Sequence, residues 1–294
     1  MEIPAAAKSV MRVPARTWQF LRRWPVIPLF ILGVMVVFAI FPNQVAPHDA
    51  YKGNLAKAHI PPVWYPEGSS EHVLGTDFVG RDLLSRVIHG ARVSLKISAV
   101  ALSTGIITGT ALGLISGYFG GLIDEVSMRL IDLWASIPAL LVGLIAAIVL
   151  GASDVTLMGV LALMAWSSGA RNVRAEVLSL KARDYVALAR VSGASTARIM
   201  ISHILPGVVN TVVVIATLAV GGLIMAEAFL SYLGAGIPSP TPAWGLMTAE
   251  GKNYMNIAWW DSFFPGLAIF LTVVSMNFLG DWTRDHLDPR LRQL

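Results

Sequence analysis

Long runs of uncharged, largely apolar residues are the feature that most constrains what this chain can fold into. Six such runs cover residues 26–41, 97–119, 133–153, 155–170, 208–226 and 262–280. A helix needs about 20 apolar residues to cross a bilayer core of about 30 Å. Only 14% of the residues are charged, whereas soluble domains have roughly 25%. The runs therefore predict an all-α membrane protein with six transmembrane helices.

Two of these runs are short for a membrane span. The first, 26–41, can be extended by Trp24 and the arginines before it, whose side chains reach the interface. A cleavable signal peptide is the alternative, but no small-residue cleavage site follows the run, so a retained span is favoured. The other short run, 155–170, follows 133–153 closely. One helix over both would be about 57 Å long, so a tight hairpin of two spans is predicted.

The spans divide the chain into five predicted segments. These are a tail at 1–25, the first transmembrane helix at 26–41, an extracytoplasmic segment at 42–93, a five-helix core at 94–281 and a tail at 282–294. Six spans place both termini on one side, and the basic residues of both tails and of 171–206 place that side in the cytoplasm. The basic residues of 42–96 argue against this orientation, but the three other basic segments, both tails and 171–206, support it.

The stretch 72–95 alternates positive and negative charges beside one apolar side. This pattern predicts an amphipathic helix on the membrane surface rather than a catalytic site. Asp77 and Asp82 are conceivable metal ligands beside His72 or His89, but no ligand spacing supports this, and the nearby arginines predict ion pairs. The chain has no cysteine, which excludes thiolate metal sites. No metal and no cofactor is expected.

The segment 171–206 is basic and lies between apolar runs. Gly193 suits a left-handed helix end, Ser195 can cap a following helix, and Pro206 is expected to close it, which predicts two short helices joined by a bend. The spacing of Ala189, Gly193 and Ile199 also resembles a helix-turn-helix. Apolar runs flank the segment so closely that it could hardly enter a major groove, so nucleic acid is not an expected partner.

Other classes of function find less support. Gly251-Lys252 is followed by Asn253, so no phosphate-binding loop is present and ATP is expected to be handled by another chain. A secondary transporter usually places an acid at mid-membrane, whereas Glu227 falls near the end of its run. An intramembrane enzyme ranks last, because its motifs are missing. Gly105, Gly109 and Gly113 recur every four residues, which predicts a face for close helix packing.

Four stretches together resemble one known family. They are HVLGTDFVGRDLLSRVIHGARVSL at 72–95, DYVALARVSGASTARIMISHILP at 184–206, EAFLSYLGAGIPSPTPAWG at 227–245 and GDWTRDHLDPRLR at 280–292. They are similar to the signature stretches of inner-membrane permease subunits of ABC importers for dipeptides and oligopeptides, the DppC/OppC type. The resemblance implies a type I importer permease fold, a multi-pass location in the inner membrane and a subunit that is not an enzyme.

The resemblance also implies partners: a homologous permease subunit, two ATP-binding subunits, an extracytoplasmic substrate-binding protein and the lipid bilayer. Relatives of this type carry peptides, nickel chelates, glutathione or oligosaccharides, and peptides are the expected cargo. The family docks its ATPase through a coupling helix. Here that role is expected for Ala187, Leu188, Ala189, Arg190, Ser192, Gly193, Ala194, Ser195, Arg198 and Pro206.

The resemblance also bears on one difference in the coupling segment and on a set of residues in the extracytoplasmic segment. In the coupling segment, Ala187-Leu188-Ala189 stands where Glu-Ala-Ala is usual, which removes any ion pair of that Glu. The family-motif residues of the extracytoplasmic segment are Gly75, Thr76, Asp77, Gly80, Arg81 and Asp82. Apart from the resemblance, the position of Glu227 near the outer end of its run predicts either a helix-terminal hydrogen bond or, together with Trp244, an outer gate. The stretch 234–260 around Trp244 is expected either to receive the binding protein or to form part of that gate.

Overall fold

The computed structural model describes residues 25–287, so most of the two predicted tails lies outside the described part. Its regular structure is helical, which confirms the all-α prediction. The helices are α1 (Val26–Ile40), α2 (Pro42–Val45), α3 (Leu83–Phe119), α4 (Gly121–Ser136), α5 (Ala139–Leu150), α6 (Asp154–Lys181), α7 (Asp184–Val191), α8 (Thr196–Arg198), α9 (Leu205–Tyr232), α10 (Trp244–Lys252) and α11 (Trp260–Leu287).

Three helical segments are both long enough and apolar enough to cross a membrane. They are Leu83–Phe119, Thr196–Tyr232 and Trp260–Leu287, and the bent pair α4–α5 makes a fourth if it counts as one span. Helix α1 is apolar but has only 15 residues. Helix length and composition therefore identify three or four spans among the described residues, fewer than the six predicted.

The run 133–153 does not form the single straight helix that its composition predicts. Helix α4 ends at Ser136, α5 begins at Ala139, and the two axes differ by 81°. The residue before a proline avoids helical geometry, and Ile137, which precedes Pro138, has φ −95° and ψ 128°. The proline therefore divides a stretch that hydropathy alone treats as continuous.

Pro206 does not close the helix that begins at Thr196, so this prediction was wrong. Helical structure continues from Thr196 to Tyr232, and a π-helical turn, Ile199–Ile204, comes just before the proline. A proline inside a regular helix clashes with the preceding turn and lacks a hydrogen-bond donor. The wider π turn relieves that conflict, because Pro206 then occupies the first turn of α9.

Helices α3 and α6 pack side by side along a face of glycines, as the sequence predicts. A Cβ added to Gly105 would lie 2.5 Å from Ala165 Cβ, and one added to Gly113 would lie 2.5 Å from the carbonyl oxygen of Ala170. Gly117 continues the series against Val177. Contacts advance in the same direction along both helices, so α3 and α6 are parallel, and α4–α5 returns the chain between them.

The surface helix expected at 72–95 is wrong in its start and in its environment. Helix α3 begins at Leu83 and continues without a break to Phe119. Residues 46–82 and α10 cover its N-terminal end, and we call this region the cap. Arg86 and Asp77 are buried there, with 1% and 4% of their surfaces exposed. The charges therefore face protein rather than lipid headgroups, because they pair with one another.

Candidate functional site

The bend between α7 and α8 is a Schellman-type helix end. The backbone N–H of Ala194 donates to Ala189 at 3.0 Å, and that of Gly193 donates to Arg190 at 3.1 Å. Gly193 has φ 79°, as expected for the left-handed residue of this motif. Ser195 caps the next helix by accepting from the N–H of Arg198 at 3.3 Å. The predicted bend and its two capping residues are confirmed.

The bend is anchored to the helices behind it. Val186 in α7 and Ile204 in the π turn are both fully buried. They pack in one apolar cluster with Leu114 of α3 and Val173 and Val177 of α6. The end of α6 is also fixed to the end of α3, because Lys181 Nζ donates to the carbonyl oxygen of Tyr118. The segment is therefore packed against α3, α6 and α9.

The opposite side of the same segment is exposed and carries three large apolar side chains beside basic ones. Leu188, Val191 and Ile201 have exposed fractions of 65%, 87% and 61%. A Cβ built on Gly193 would meet no atom of this chain within 4 Å. Of the ten predicted coupling residues, all are exposed except Ala189 and Ala194, which are half-buried. Sequence reasoning missed Val191 and Ile201. A large apolar side chain within a polar segment was the feature that could have indicated them as contact residues.

A network of buried charges forms the second candidate site, in the cap. Asp77 accepts from the backbone N–H of Arg81 at 2.9 Å, from Arg81 Nε at 2.7 Å and from Arg86 Nη1. Burial alone would raise the pKa of Asp77, but Arg86, the backbone N–H of Arg81 and the Arg81 guanidinium outweigh it and lower that pKa. Asp77 is therefore ionised at neutral pH.

Glu250, far along the chain, completes this network, and sequence reasoning missed it. Glu250 in α10 lies 3.3 Å from Arg86 Nη2 and 3.5 Å from Arg81 Nη2. Asp261, at the start of α11 and also missed, is buried beside the network and lies 3.3 Å from His59 Nδ1, but its carboxylate oxygens have no hydrogen-bond partner among the described residues. The ion pairs predicted in place of metal ligands at Asp77 are confirmed. Their full extent could not be predicted, because the fold brings α10 and α11 onto the start of α3.

The other family-motif residues shape the turns of the cap. Gly75 and Gly80 have φ 84° and 78°, and a Cβ on Gly75 would lie 2.5 Å from the carbonyl oxygen of Ile60. Thr76 accepts from the N–H of Ile60 at 2.9 Å. Asp82 caps α3 by accepting from the N–H of Ser85 at 2.8 Å. The six motif residues thus lie together.

Glu227 and Trp244, the predicted gate residues, are both buried inside the chain with 0% exposed surface. Ser231 Oγ donates to Glu227 at 2.9 Å. Trp244 Nε1 donates to the carbonyl oxygen of Val87 in α3 at 2.9 Å, and its indole ring fits against Gly90. In this chain Trp244 joins α10 to α3. A role at an outer gate stays a prediction for both residues.

The bend and the cap lie at opposite ends of α3, which at 37 residues is about 55 Å long. The exposed bend between α7 and α8 thus lies at one end of the chain, and the cap with its buried ion pairs lies at the other. The arrangement suits a protein that connects events at two faces of a membrane.

Comparison with known proteins agrees with this arrangement. Residues 109–293 match the family model described as "Binding-protein-dependent transport system inner membrane component". The dipeptide transport system permease protein DppC of Escherichia coli (strain K12) is 40% identical over 278 residues, which cover 94% of this chain and 93% of that protein. The oligopeptide transport system permease protein OppC of Bacillus subtilis (strain 168) is 37% identical, covering 90% and 85%.

A third relative extends over nearly the whole chain. The glutathione transport system permease protein GsiD of Pectobacterium atrosepticum is 36% identical over 295 residues, which cover 99% of this chain and 96% of that protein. The resemblance inferred from the four sequence stretches is confirmed. The chain belongs to the family of inner membrane components of binding-protein-dependent transport systems, among relatives that are dipeptide and oligopeptide permeases.

Proposed function

We propose that this chain is the membrane permease subunit of an ATP-driven importer of dipeptides and oligopeptides. It forms the translocation pathway with a homologous permease subunit and receives cargo from a substrate-binding protein at the cap end. Two ATP-binding subunits dock at the other end, on the segment 187–206. The observation that carries the proposal is the rigid bend at Gly193, which carries exposed apolar side chains on one side and is anchored to α3, α6 and α9 on the other.

The membrane topology of the proposal has six crossings with both termini in the cytoplasm. The alternating course of α3, α4–α5 and α6 supports it, because α3 and α6 are parallel and α4–α5 returns between them. The chain has no cysteine, so Ser70→Cys and Ser192→Cys each introduce a unique thiol at an exposed position. An impermeant thiol reagent added outside should label only Ser70→Cys. Labelling of both from outside would refute the topology.

The segment 187–206 is suited to transmit force between a partner and the membrane helices. When the ATP-binding subunits close, a bend held by two helices in a single apolar cluster must move with them. Leu188 and Val191 can fill an apolar groove on the partner, where buried apolar area contributes about 25 cal/mol per Å². Arg190 and Arg198 lie beside them and can pair with acidic groups of the partner at the rim.

The coupling role is tested by Gly193→Val with Gly151→Val as the matched control. Both glycines have positive φ, 79° and 86°, and a Cβ on either would meet nothing within 4 Å inside this chain. Both variants therefore carry backbone strain, about 1–2 kcal/mol for Gly193→Val and no less for Gly151→Val, because φ 86° with ψ 148° is a conformation that essentially only glycine adopts. Only Gly193→Val should also clash with a docked ATPase subunit.

The measurements are co-purification of the ATP-binding subunits, transport of labelled peptide and expression level in the membrane. We expect at least a tenfold loss of ATPase subunits for Gly193→Val at normal expression, and retention for Gly151→Val. Wild-type transport by Gly193→Val would refute docking at the bend, as would an equal loss in both variants. Strong ATP hydrolysis by the purified chain alone, or transport without ATP, would refute the ATP-driven assignment.

Peptides are the proposed cargo because the dipeptide and oligopeptide permeases are close in sequence along most of the chain. Glutathione is the second candidate, because the relative named for it covers 99% of this chain. Glutathione is itself a tripeptide, so both candidates share one chemical class. The two are separated by reconstituting the complete complex with its binding protein and comparing ATPase stimulation by dipeptide, by a longer peptide and by glutathione. Stimulation by none of them would refute peptide cargo.

A further inference from the structure

A pair of histidines in the cap lies outside the buried charge network. His48 follows α2, and His72 lies in the turn before the family-motif residues. Their ring centroids are 4.9 Å apart. One possible metal-ligand atom from each of His48, His72 and Asp82 lies within 4.8 Å of the other two. The sequence predicted no metal here, because no ligand spacing relates Asp82 to His72 or His89, and His48 was not among the candidates. The fold alone brings the three together.

Each imidazole is held by one nitrogen and leaves the other available. His72 Nδ1 lies 3.0 Å from Asp82 Oδ1. Because a carboxylate can only accept, His72 carries its proton on Nδ1 and its lone pair on Nε2. Nε2 is buried and has no hydrogen-bond partner within the described part of the chain, although only 6% of His72 is exposed. A buried acceptor without a donor is costly, and a bound metal ion would satisfy this nitrogen.

His48 is arranged in the same way on the solvent side. Its Nε2 lies 2.8 Å from the carbonyl oxygen of Glu71, which places the proton there and leaves the lone pair on Nδ1. Its backbone N–H donates to Ser85 Oγ at 3.0 Å. Ser85 Oγ in turn donates to Asp82 Oδ2 at 2.6 Å. The first turn of α3 therefore positions both histidines, and half-buried His48 leaves a route for an ion from solvent.

We infer that His48 and His72 bind one divalent transition-metal ion such as Zn²⁺, with the Asp82 carboxylate orienting His72. Histidine bound to metal usually donates its second nitrogen to a carboxylate or a carbonyl, which is the role that Asp82 and the Glu71 carbonyl have here. Imidazole ligands favour zinc, copper and nickel over magnesium and calcium. The site is open, because the remaining coordination positions fall to water or exposed oxygens. The bound ion ties residue 48 and residue 72 to the start of α3.

The test uses the full chain, purified in detergent with any affinity tag removed and stripped with EDTA. Zn²⁺ is titrated by calorimetry and in competition with a chromogenic zinc indicator. The variants are His48→Gln and His72→Gln. His89→Gln is the matched control, because both ring nitrogens of His89 are already in hydrogen bonds, to Ser85 O at 2.9 Å and Asn43 Oδ1 at 3.0 Å.

Wild type and His89→Gln should bind one Zn²⁺ per chain, and His48→Gln and His72→Gln should each lose at least tenfold in affinity. Zn²⁺ should raise the thermal midpoint of wild type and of His89→Gln but not of His48→Gln, and Ca²⁺ should raise none of them. If His72→Gln fails to fold, half-buried His48 still decides the question. Absence of stoichiometric Zn²⁺ binding by wild type would overturn the site. Equal affinity in wild type and His48→Gln would also overturn it.

Discussion

Replacing Arg86 with methionine should strongly destabilise the cap. Only 1% of the Arg86 side chain is exposed, and its guanidinium bridges Asp77 of the cap to Glu250 of α10. The substitution keeps a long apolar side chain and removes the charge, which leaves the buried Asp77 carboxylate and the partly buried Glu250 carboxylate with Arg81 as their remaining cation. Breaking a buried ion pair by removing one partner typically costs about 3–5 kcal/mol. We expect a loss of stability in that range.

The matched control is Arg171→Met. Arg171 pairs with Asp132 at 3.0 Å, but the two side chains are 55% and 61% exposed. An exposed pair usually contributes no more than about 1 kcal/mol. Stability is measured as the fraction of monodisperse protein that survives heating in detergent, monitored by tryptophan fluorescence on size exclusion. A double variant, Arg86→Met with Asp77→Asn, should recover part of the loss, because the unpaired carboxylate is also removed.

If Arg86→Met is no more destabilising than Arg171→Met, burial makes no difference to the stability that the ion pair contributes. If the double variant loses as much stability as the two single variants together, Arg86 and Asp77 do not interact. Either result refutes the predicted role of the buried pair. Both comparisons use the same detergent and salt concentration, because salt screens the exposed pair much more than the buried one.

Three further outcomes follow from contacts in the structure. Gly113→Leu should reduce stability by several kcal/mol, because a Cβ added at Gly113 would lie 2.5 Å from the Ala170 carbonyl oxygen. Gly159→Leu should change stability little, because a Cβ at Gly159 would meet no atom within 4 Å. Equal thermal unfolding midpoints for the two variants would contradict tight packing of α3 on α6. Trp244→Phe removes the hydrogen bond to the Val87 carbonyl and should cost about 1–3 kcal/mol; an unchanged midpoint would contradict its role in joining α10 to α3. The pKa of Asp77 is lowered in the folded chain, so ionised Asp77 stabilises the fold fully above about pH 4, and this stabilisation is lost as pH falls through the lowered pKa. The thermal unfolding midpoint of wild type should therefore fall between pH 7 and pH 3, and the midpoint of Asp77→Asn should change less over the same range.

Local features of the coupling segment were predictable because they depend on near neighbours in sequence. Gly193 is the residue that a left-handed helix end favours, and Ser195 can reach the N–H three residues later without help from the rest of the fold. Pro206 was misjudged for a related reason. A proline usually ends a helix, but here the π turn before Pro206 accommodates it, and that turn packs against α3 and α6, which are distant in the sequence.

The cap could be predicted only in part. Alternating charges at 77–86 indicated ion pairs, and Asp77 does pair with Arg81 four residues away. The same alternation also suits a helix on the membrane surface, and hydropathy cannot distinguish a charge facing water from a charge facing another charge. The contact between Glu250 and Arg86 shows which environment is present, because α10 places Glu250 beside Arg86 although the two are 164 residues apart in the sequence.

By itself the sequence determined the helical class, the membrane environment, the family and the bend at Gly193. Each depends on composition, on spacing within a few residues or on stretches long enough to compare. Only the tertiary structure decided that Arg86 is buried with Glu250, that Trp244 is enclosed between α3 and α10, and that His48 meets His72. These depend on segments distant in the chain, whose approach is set by the packing of whole helices rather than by any local preference.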